Sequence, residues 1–217
     1  MKFLRKYTNV NDTNSLSNKF RRKRFYLFNQ LIEKHKSPVK IIDLGGTQEF
    51  WENMGLVSDN IDVTIINIDT ITVRYPNFRF IQMDVRNLNV FSDHEFDIVF
   101  SNSLIEHIGN FAEKKKIAEE ILRIGKSIFI QTPNYYFPLE PHFLVPFFQF
   151  FPSKFKVFLL RHFNLGWYNK FEKKEAEKIV EDTNLLGYKD VKLLFPDAVI
   201  IKEKYLGFTK SFICVSN

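Results

Sequence analysis

Residues Val39-Lys40-Ile41-Ile42-Asp43-Leu44-Gly45-Gly46-Thr47 constrain this chain more than any other stretch. An apolar run ends in an acid, then two glycines, then a small polar residue. That is the pattern of a buried strand that stops at an acidic tip and turns tightly. Gly45 and Gly46 let the backbone approach a ligand with no Cβ in the way. Residues 48–56 can begin a helix there, so the free N–H groups of its first turn face the same space. In an open α/β sheet, nucleotide-type ligands bind beyond the carboxyl end of the first strand. A glycine turn after a strand is also ordinary α/β connectivity, so the turn alone does not decide between the two.

Three further strand-like segments follow in order. Residues 62–69 read as a second strand ending in Asp69. Residues 78–84 read as a third ending in Asp84, and residues 96–102 as a fourth that ends in Ser101 and Asn102 and enters a helix at Ser103. Acids at three successive strand tips are costly near one another unless a ligand offers them donors. Hydroxyls, an amine and an ammonium group would do so.

The rest of the chain extends the alternation. Phe25, Phe28, Leu31 and Ile32 recur at helical spacing within residues 19–36, with Ser15 or Ser17 available as a cap. Residues 111–124 and 171–182 read as helices, and residues 127–131, 191–195 and 211–215 as strands. Residues 1–17 are polar and expected to be loose, leaving 18–217 as a single domain. Such alternation predicts a mostly parallel sheet with helices on both faces.

With these residues in hand, the chain resembles the class I S-adenosylmethionine-dependent methyltransferases, in particular the type-11-like group. The resemblance rests on the Asp43-x-Gly45 turn, on Asp69 and Asp84, and on residues 96–109, and it runs from about Phe20 to the C-terminus. It implies a Rossmann-like α/β fold, with a seven-stranded mostly parallel sheet and an antiparallel last strand between the fifth and sixth. It implies S-adenosylmethionine as cofactor. Asp43, Gly45 and Gly46 would wrap its methionine part, Asp69 would bind the ribose hydroxyls, and Asp84 with Val85 would receive the adenine amine. Thr47, Thr70, Ser101 and Asn102 complete the expected cofactor contacts. The family usually has glycine where this chain has Thr47.

Methyl transfer from a sulfonium needs alignment and exclusion of water, and an oxygen nucleophile is helped by a general base. The candidates lie after the fourth and fifth strands. Ser103 and Glu106 fit an S-x-x-E capping box, which accounts for Glu106 without a catalytic role. His107 can serve as a base or as a packed histidine beside the cofactor. Glu140 and His142 flank Pro141 on a stiff aromatic loop, so they can pair beside a substrate hydroxyl or simply pin the loop. We expect His142 to be the base, oriented by Glu140, with His107 the weaker candidate. No metal is expected, because Glu140 and His142 supply too few ligands and no third stands at a suitable spacing.

Residues 134–168 are dense in phenylalanine and read as a lid insertion that packs on the sheet edge, or, in functional terms, closes over an apolar acceptor pocket. A membrane-surface helix is the other reading, since Lys154, Lys156 and Arg161 flank the apolar residues. The Arg21-Arg22-Lys23-Arg24 run reads as a solvated helix face. The net charge of +6 over 217 residues permits an anionic partner without demanding one. The expected acceptor is a small molecule or a glycan, including a lipid-linked one, methylated at oxygen. Peripheral membrane contact is compatible with this, and no nucleic acid is expected. An NAD-dependent oxidoreductase is the rival enzyme, because Asp69 could also hold an NAD ribose, but the G-x-G-x-x-G pattern is absent. A non-catalytic membrane-surface protein that keeps the fold is the third reading. The lone Cys214 and the lack of an apolar leader-like run suit the cytoplasm.

Overall fold

A computed structural model of the chain describes residues 16–166 and 168–216. Residues 1–15, where most of the expected loose segment falls, lie outside the described residues, as do the Ser15 cap and Trp167.

Helix α1 (Leu16–Ile32) leads into β1 (Val39–Leu44), α2 (Gln48–Asn53), β2 (Ile61–Asn67), β3 (Phe78–Gln82) and β4 (Phe96–Asn102). Then come α3 (Phe111–Ile124), β5 (Gly125–Pro133), α4 (Ser153–His162), α5 (Lys173–Asp182), α6 (Tyr188–Leu194), β6 (Val199–Tyr205) and β7 (Phe208–Ser216). The seven strands form one sheet in the order β3-β2-β1-β4-β5-β7-β6. β1 to β5 pair in parallel, and β7 runs antiparallel between β5 and β6, as the resemblance implies.

The period-2 alternation of β1 divides the molecule. Ile42 and Leu44 point into one core with Val99, Ile128 and the buried stripe of α3, namely Ile117, Ala118, Ile121 and Ile124. Val39 and Ile41 point into the other, among Phe25, Phe28, Trp51, Phe100 and Phe129. A sheet covered on both faces explains why its central strands are near-continuous Val/Ile runs. Asp43 lies on the second face, and this decides its partner below.

Four expectations are corrected. Residues 191–195 are not a strand: they fall in α6, where Val191, Leu194 and Phe195 are buried at i, i+3 and i+4. The Asp190 carboxylate accepts from the Gly187 amide at 2.8 Å and starts that helix. No helix begins at Ser103. That residue has φ +61 and donates to Gln131 at 2.9 Å, and only a 3-10 turn, Ile105–His107, follows. The capping box sits later, at Asn110 and Glu113, where α3 starts. The basic run is not wholly solvated, since Arg24 is buried and binds Glu203 of β6 through two bonds of 2.9 and 2.7 Å. That non-local pair holds α1 against β6, an edge strand missing from the sequence reading. Ser17 lies inside α1 rather than at its cap.

The aromatic segment carries a small core of its own. Phe143, Phe148, Leu160 and Leu165 pack with Ala176 of α5, so the segment is folded beside the sheet's C-terminal edge.

Candidate active site

Three neighbouring hollows lie along the carboxyl ends of β1, β2, β4 and β5. The first is lined by Asp43, Gly45, Gly46, Thr47, Phe50 and Asn102. The second shares Gly45 and is walled by Asn67, Ile68, Asp84, Val85, Leu104 and His107. The third shares Asn102 with the first and is bounded by Arg24, Gln131, Phe137, His142 and Lys210.

Asp43 is 1 % exposed. Its Oδ2 accepts from the Trp51 indole at 2.7 Å, while Oδ1 has no partner among the described residues. Burial lifts its carboxyl to about 7, and the Trp51 hydrogen bond only partly offsets that. The glycines beside it have no space for side chains. A Cβ on Gly46 would lie 1.7 Å from Asp43 Oδ2, and one on Gly45, at φ +75, would lie 2.9 Å from Leu104. Thr47 caps α2, its hydroxyl accepting from the Phe50 amide at 3.3 Å.

The raised carboxyl makes a signed prediction. Asp43 binds its proton more tightly folded than unfolded, so its contribution is fully present below about pH 4 and is lost as pH rises to about 7. Between pH 5 and 8 the ligand-free protein should lose about 2–3 kcal/mol that Asp43→Asn does not lose. Urea unfolding of both proteins at the two pH values measures the difference. Equal slopes would remove Asp43 as the cause.

At the tip of β2, Asn67 donates to the Gly46 carbonyl at 3.1 Å and accepts from the Asp69 amide at 3.1 Å. Sequence reasoning passed over this bridge, although a polar residue ending an apolar strand was its signal. Asp69 and Thr70 are exposed beyond the wall of the second hollow, and Thr70 donates to Gln82 at 3.3 Å. Asp84 starts the 3-10 turn Val85–Val90 and accepts from the Arg86 amide at 2.9 Å. Its pairing with the Arg86 side chain, chiefly by hydrogen bond, holds its carboxyl below the usual range. Ser101 donates to the Leu44 carbonyl at 3.2 Å and so braces β1 against β4. Asn102 accepts from Arg24 at 2.8 Å.

Past β4 and β5 the candidate catalytic residues converge. Glu140 is 1 % exposed; its Oε1 lies 2.6 Å from His142 Nδ1 and its Oε2 accepts from the Phe143 amide at 2.7 Å. The expected Glu140–His142 pair is therefore present. Burial lowers the His142 pKa, but the Glu140 carboxylate outweighs it and the net direction is upward. The His107 ring stands edge-on to His142 with centroids 4.8 Å apart. Burial, with His142 and Lys114 nearby, pulls His107 down to about 4, so it is neutral at physiological pH. Glu106 is fully buried. Its Oε2 accepts from Thr132 at 3.0 Å and its Oε1 has no partner among the described residues. Lys114 reaches the carbonyls of Glu106, Ile108 and Gly109 and fixes this turn.

Residues 46–128 match the family model of a methyltransferase domain. An uncharacterized protein of Mycobacterium tuberculosis is 38% identical over 71 residues, 33% of this chain. The match spans about a quarter, 24%, of that relative's length. Among solved structures, the chain resembles a SAM-dependent methyltransferase from Methanosarcina mazei with TM-score 0.54 at 12% identity, covering 87% of this chain and 95% of the other. It also resembles the 1,6-didemethyltoxoflavin-N1-methyltransferase of Burkholderia thailandensis, solved with bound 1,6-didemethyltoxoflavin and S-adenosylhomocysteine. There the TM-score is 0.54 at 10% identity, over 99% of this chain and 84% of the other. At such identities the likeness is one of fold.

Proposed function

We propose that this chain, which has the fold and domain of the class I S-adenosylmethionine-dependent methyltransferases, methylates an oxygen of a small-molecule or glycan acceptor. The observation that carries the reading is the buried Asp43 Oδ1, without a partner among the described residues, beside a turn too tight for side chains. An ammonium group would satisfy that oxygen, and a backbone held close would meet the rest of an amino-acid moiety. The residues present therefore fit S-adenosylmethionine. Asp43, Gly45, Gly46 and Thr47 would hold its methionine part, Asp69 with Thr70 its ribose, and Asp84 with Val85 its adenine. Ser101 and Asn102 would shape the wall where the first and third hollows meet. Asp84 would have to share its carboxylate between Arg86 and the adenine amine.

The cofactor supplies an electrophilic methyl group on a sulfonium. The protein aligns an oxygen with it and excludes water. His142, oriented by Glu140, is the group that meets the acceptor hydroxyl, and His107 lines the cofactor side. Burial of Arg24 against Glu203 removes one cation from the surface, which argues against a nucleic-acid acceptor.

Titration with S-adenosylmethionine, S-adenosylhomocysteine and NAD tests the reading. We expect the first two to bind and raise Tm and NAD to do neither; binding of NAD alone would restore the oxidoreductase. Asp69→Ala should weaken S-adenosylhomocysteine by roughly 1.5–3 kcal/mol, the worth of a charge-assisted hydrogen bond. Unchanged affinity by calorimetry would move the ribose elsewhere.

A lipid-linked acceptor has its own support. Phe147, Phe150, Phe155, Phe158 and Phe163 are exposed on the aromatic segment, beside the exposed cations Lys154 and Arg161. No helix among the described residues is long and apolar enough to cross a membrane. Contact at the surface is the mode such a face supports. Anionic vesicles should retain the protein, and Phe155→Ser with Phe158→Ser should release it. Equal retention of the double variant would leave the segment as a lid alone.

A further inference from the structure

We infer that Glu106, His107 and His142 form a site for one divalent first-row metal ion, Mn²⁺ or Zn²⁺ by donor chemistry, poised between the cofactor and acceptor hollows. The inference deepens the proposed function and rests on it for the ion's role, though not for its binding.

Three residues from two different segments meet here. Glu106 and His107 come from the turn after β4, and His142 from the loop after β5. One ligand atom from each lies within 4.8 Å of the other two. In the sequence, His142 stands 35 positions from His107, so no spacing announces the third ligand. The adjacent parallel pairing of β4 and β5 supplies it.

The buried groups are consistent with ligation. Glu106 is fully buried with one carboxylate oxygen unpartnered among the described residues, a costly state for a polar atom unless a cation or donor meets it. His142 commits Nδ1 to Glu140, which leaves Nε2 as the nitrogen available to an ion. Metal-bound histidines are oriented in this way by a carboxylate on the other ring nitrogen. Glu140 is itself fixed by the Phe143 amide. Lys114 ties down the carbonyls around Glu106 and so holds the turn that presents Glu106 and His107.

The two imidazoles suit Zn²⁺ and disfavour Ca²⁺ and Mg²⁺, the carboxylate also accepts Mn²⁺, and three protein ligands leave positions open. His142 also lines the third hollow, from which an acceptor oxygen would reach a bound ion. His107 lines the cofactor hollow on the other side. The ion would then fix the acceptor oxygen relative to the methyl group.

The test uses the full chain, stripped with chelator and titrated with Mn²⁺ or Zn²⁺ by calorimetry, with Mn²⁺ paramagnetic resonance as a second readout. We expect one ion per chain, abolished by His142→Gln and His107→Gln. Glu140→Gln should weaken it by about 10–100-fold, the usual effect of losing the carboxylate behind a ligating histidine. Glu106→Gln is the riskier variant because its site is buried, so circular dichroism must show a folded chain before it counts. S-adenosylhomocysteine affinity, measured in parallel, separates the two readings: metal without cofactor binding would sink the methyltransferase reading alone. Absence of stoichiometric metal in the wild-type chain, or binding unchanged in both histidine variants, overturns the inference.

Discussion

Gly46→Ala should nearly abolish cofactor binding and lower the stability of the protein. The added Cβ would lie 1.7 Å from Asp43 Oδ2. That atom is not the free end of a flexible side chain. It is buried and accepts from Trp51 Nε1 at 2.7 Å, in the centre of the aromatic core. One of two things must yield. If the carboxylate moves, the Trp51 N–H is left without its acceptor, at a cost of about 1–3 kcal/mol. If the turn moves, Asn67 loses its bond to the Gly46 carbonyl and the backbone leaves the place where a ligand would meet it. Either way the Asp43 carboxylate and the Gly45–Gly46 backbone lose their present arrangement at the first hollow. A displacement of this kind should weaken S-adenosylhomocysteine by roughly 100-fold, comparable to misplacing a positioning group by an ångström. Gly55→Ala is the control. Gly55 also has positive φ, +71, but nothing lies within 4 Å of its Cβ position. It should cost about 1–2 kcal/mol in stability and leave affinity unchanged. Thermal melts and calorimetry on both variants separate strain from site damage. Wild-type affinity in Gly46→Ala would mean that the turn does not hold the cofactor.

The same residues show what could be read from the sequence. The turn, the first four strands and the alternation with helices were legible because they depend on local pattern: Val/Ile runs, an acid, then glycine. The Glu140–His142 pair was legible because its partners stand two residues apart around a proline. What escaped depends on partners far away in the chain. Strand β6 carries Lys202, Glu203 and Lys204, a polar signature, yet Glu203 is buried because Arg24, 179 positions earlier, neutralises it. Ser103 and Glu106 match a capping box in spacing, but Gln131 draws the Ser103 hydroxyl and Thr132 donates to Glu106, both from β5. Those two bonds leave no helix for the box to start. Residues 191–195 look like a strand in the sequence because a short apolar run has no unique period, and only the packing against α3 decides it. The contact between His107 and His142 belongs to the same class, since it exists only once β4 and β5 lie side by side.

His142→Ala should lower turnover by ~10²–10⁴-fold while leaving S-adenosylhomocysteine affinity near that of the wild type. The split follows from position. His142 lines the third hollow and pairs with Glu140, whereas the hollow at the Asp43 turn and the one walled by Asp84 and Val85 do not include it. On the proposed reading the ring either takes the hydroxyl proton itself or holds an ion that binds the oxygen, and in both cases its removal would take away what activates the acceptor. The pH profile and metal content tell the two apart. A base acting alone gives a wild-type rate that rises through the His142 pKa, which the Glu140 carboxylate holds above the ordinary histidine value. Turnover then survives chelator. If an ion does the work, chelator lowers wild-type turnover about as far as the mutation does, and added Mn²⁺ or Zn²⁺ restores the wild type but not His142→Ala. Glu140→Gln should fall between wild type and His142→Ala in either case, because it leaves the ring but loosens its orientation. The measurement is single-turnover methyl transfer to an acceptor found by product-mass screening of glycans, polyprenyl-linked sugars and small phenols. Near-normal turnover in His142→Ala beside a large loss in His107→Ala would reverse the assignment. Loss in neither would mean that alignment against the cofactor is the protein's whole contribution, as for an acceptor already deprotonated when it binds.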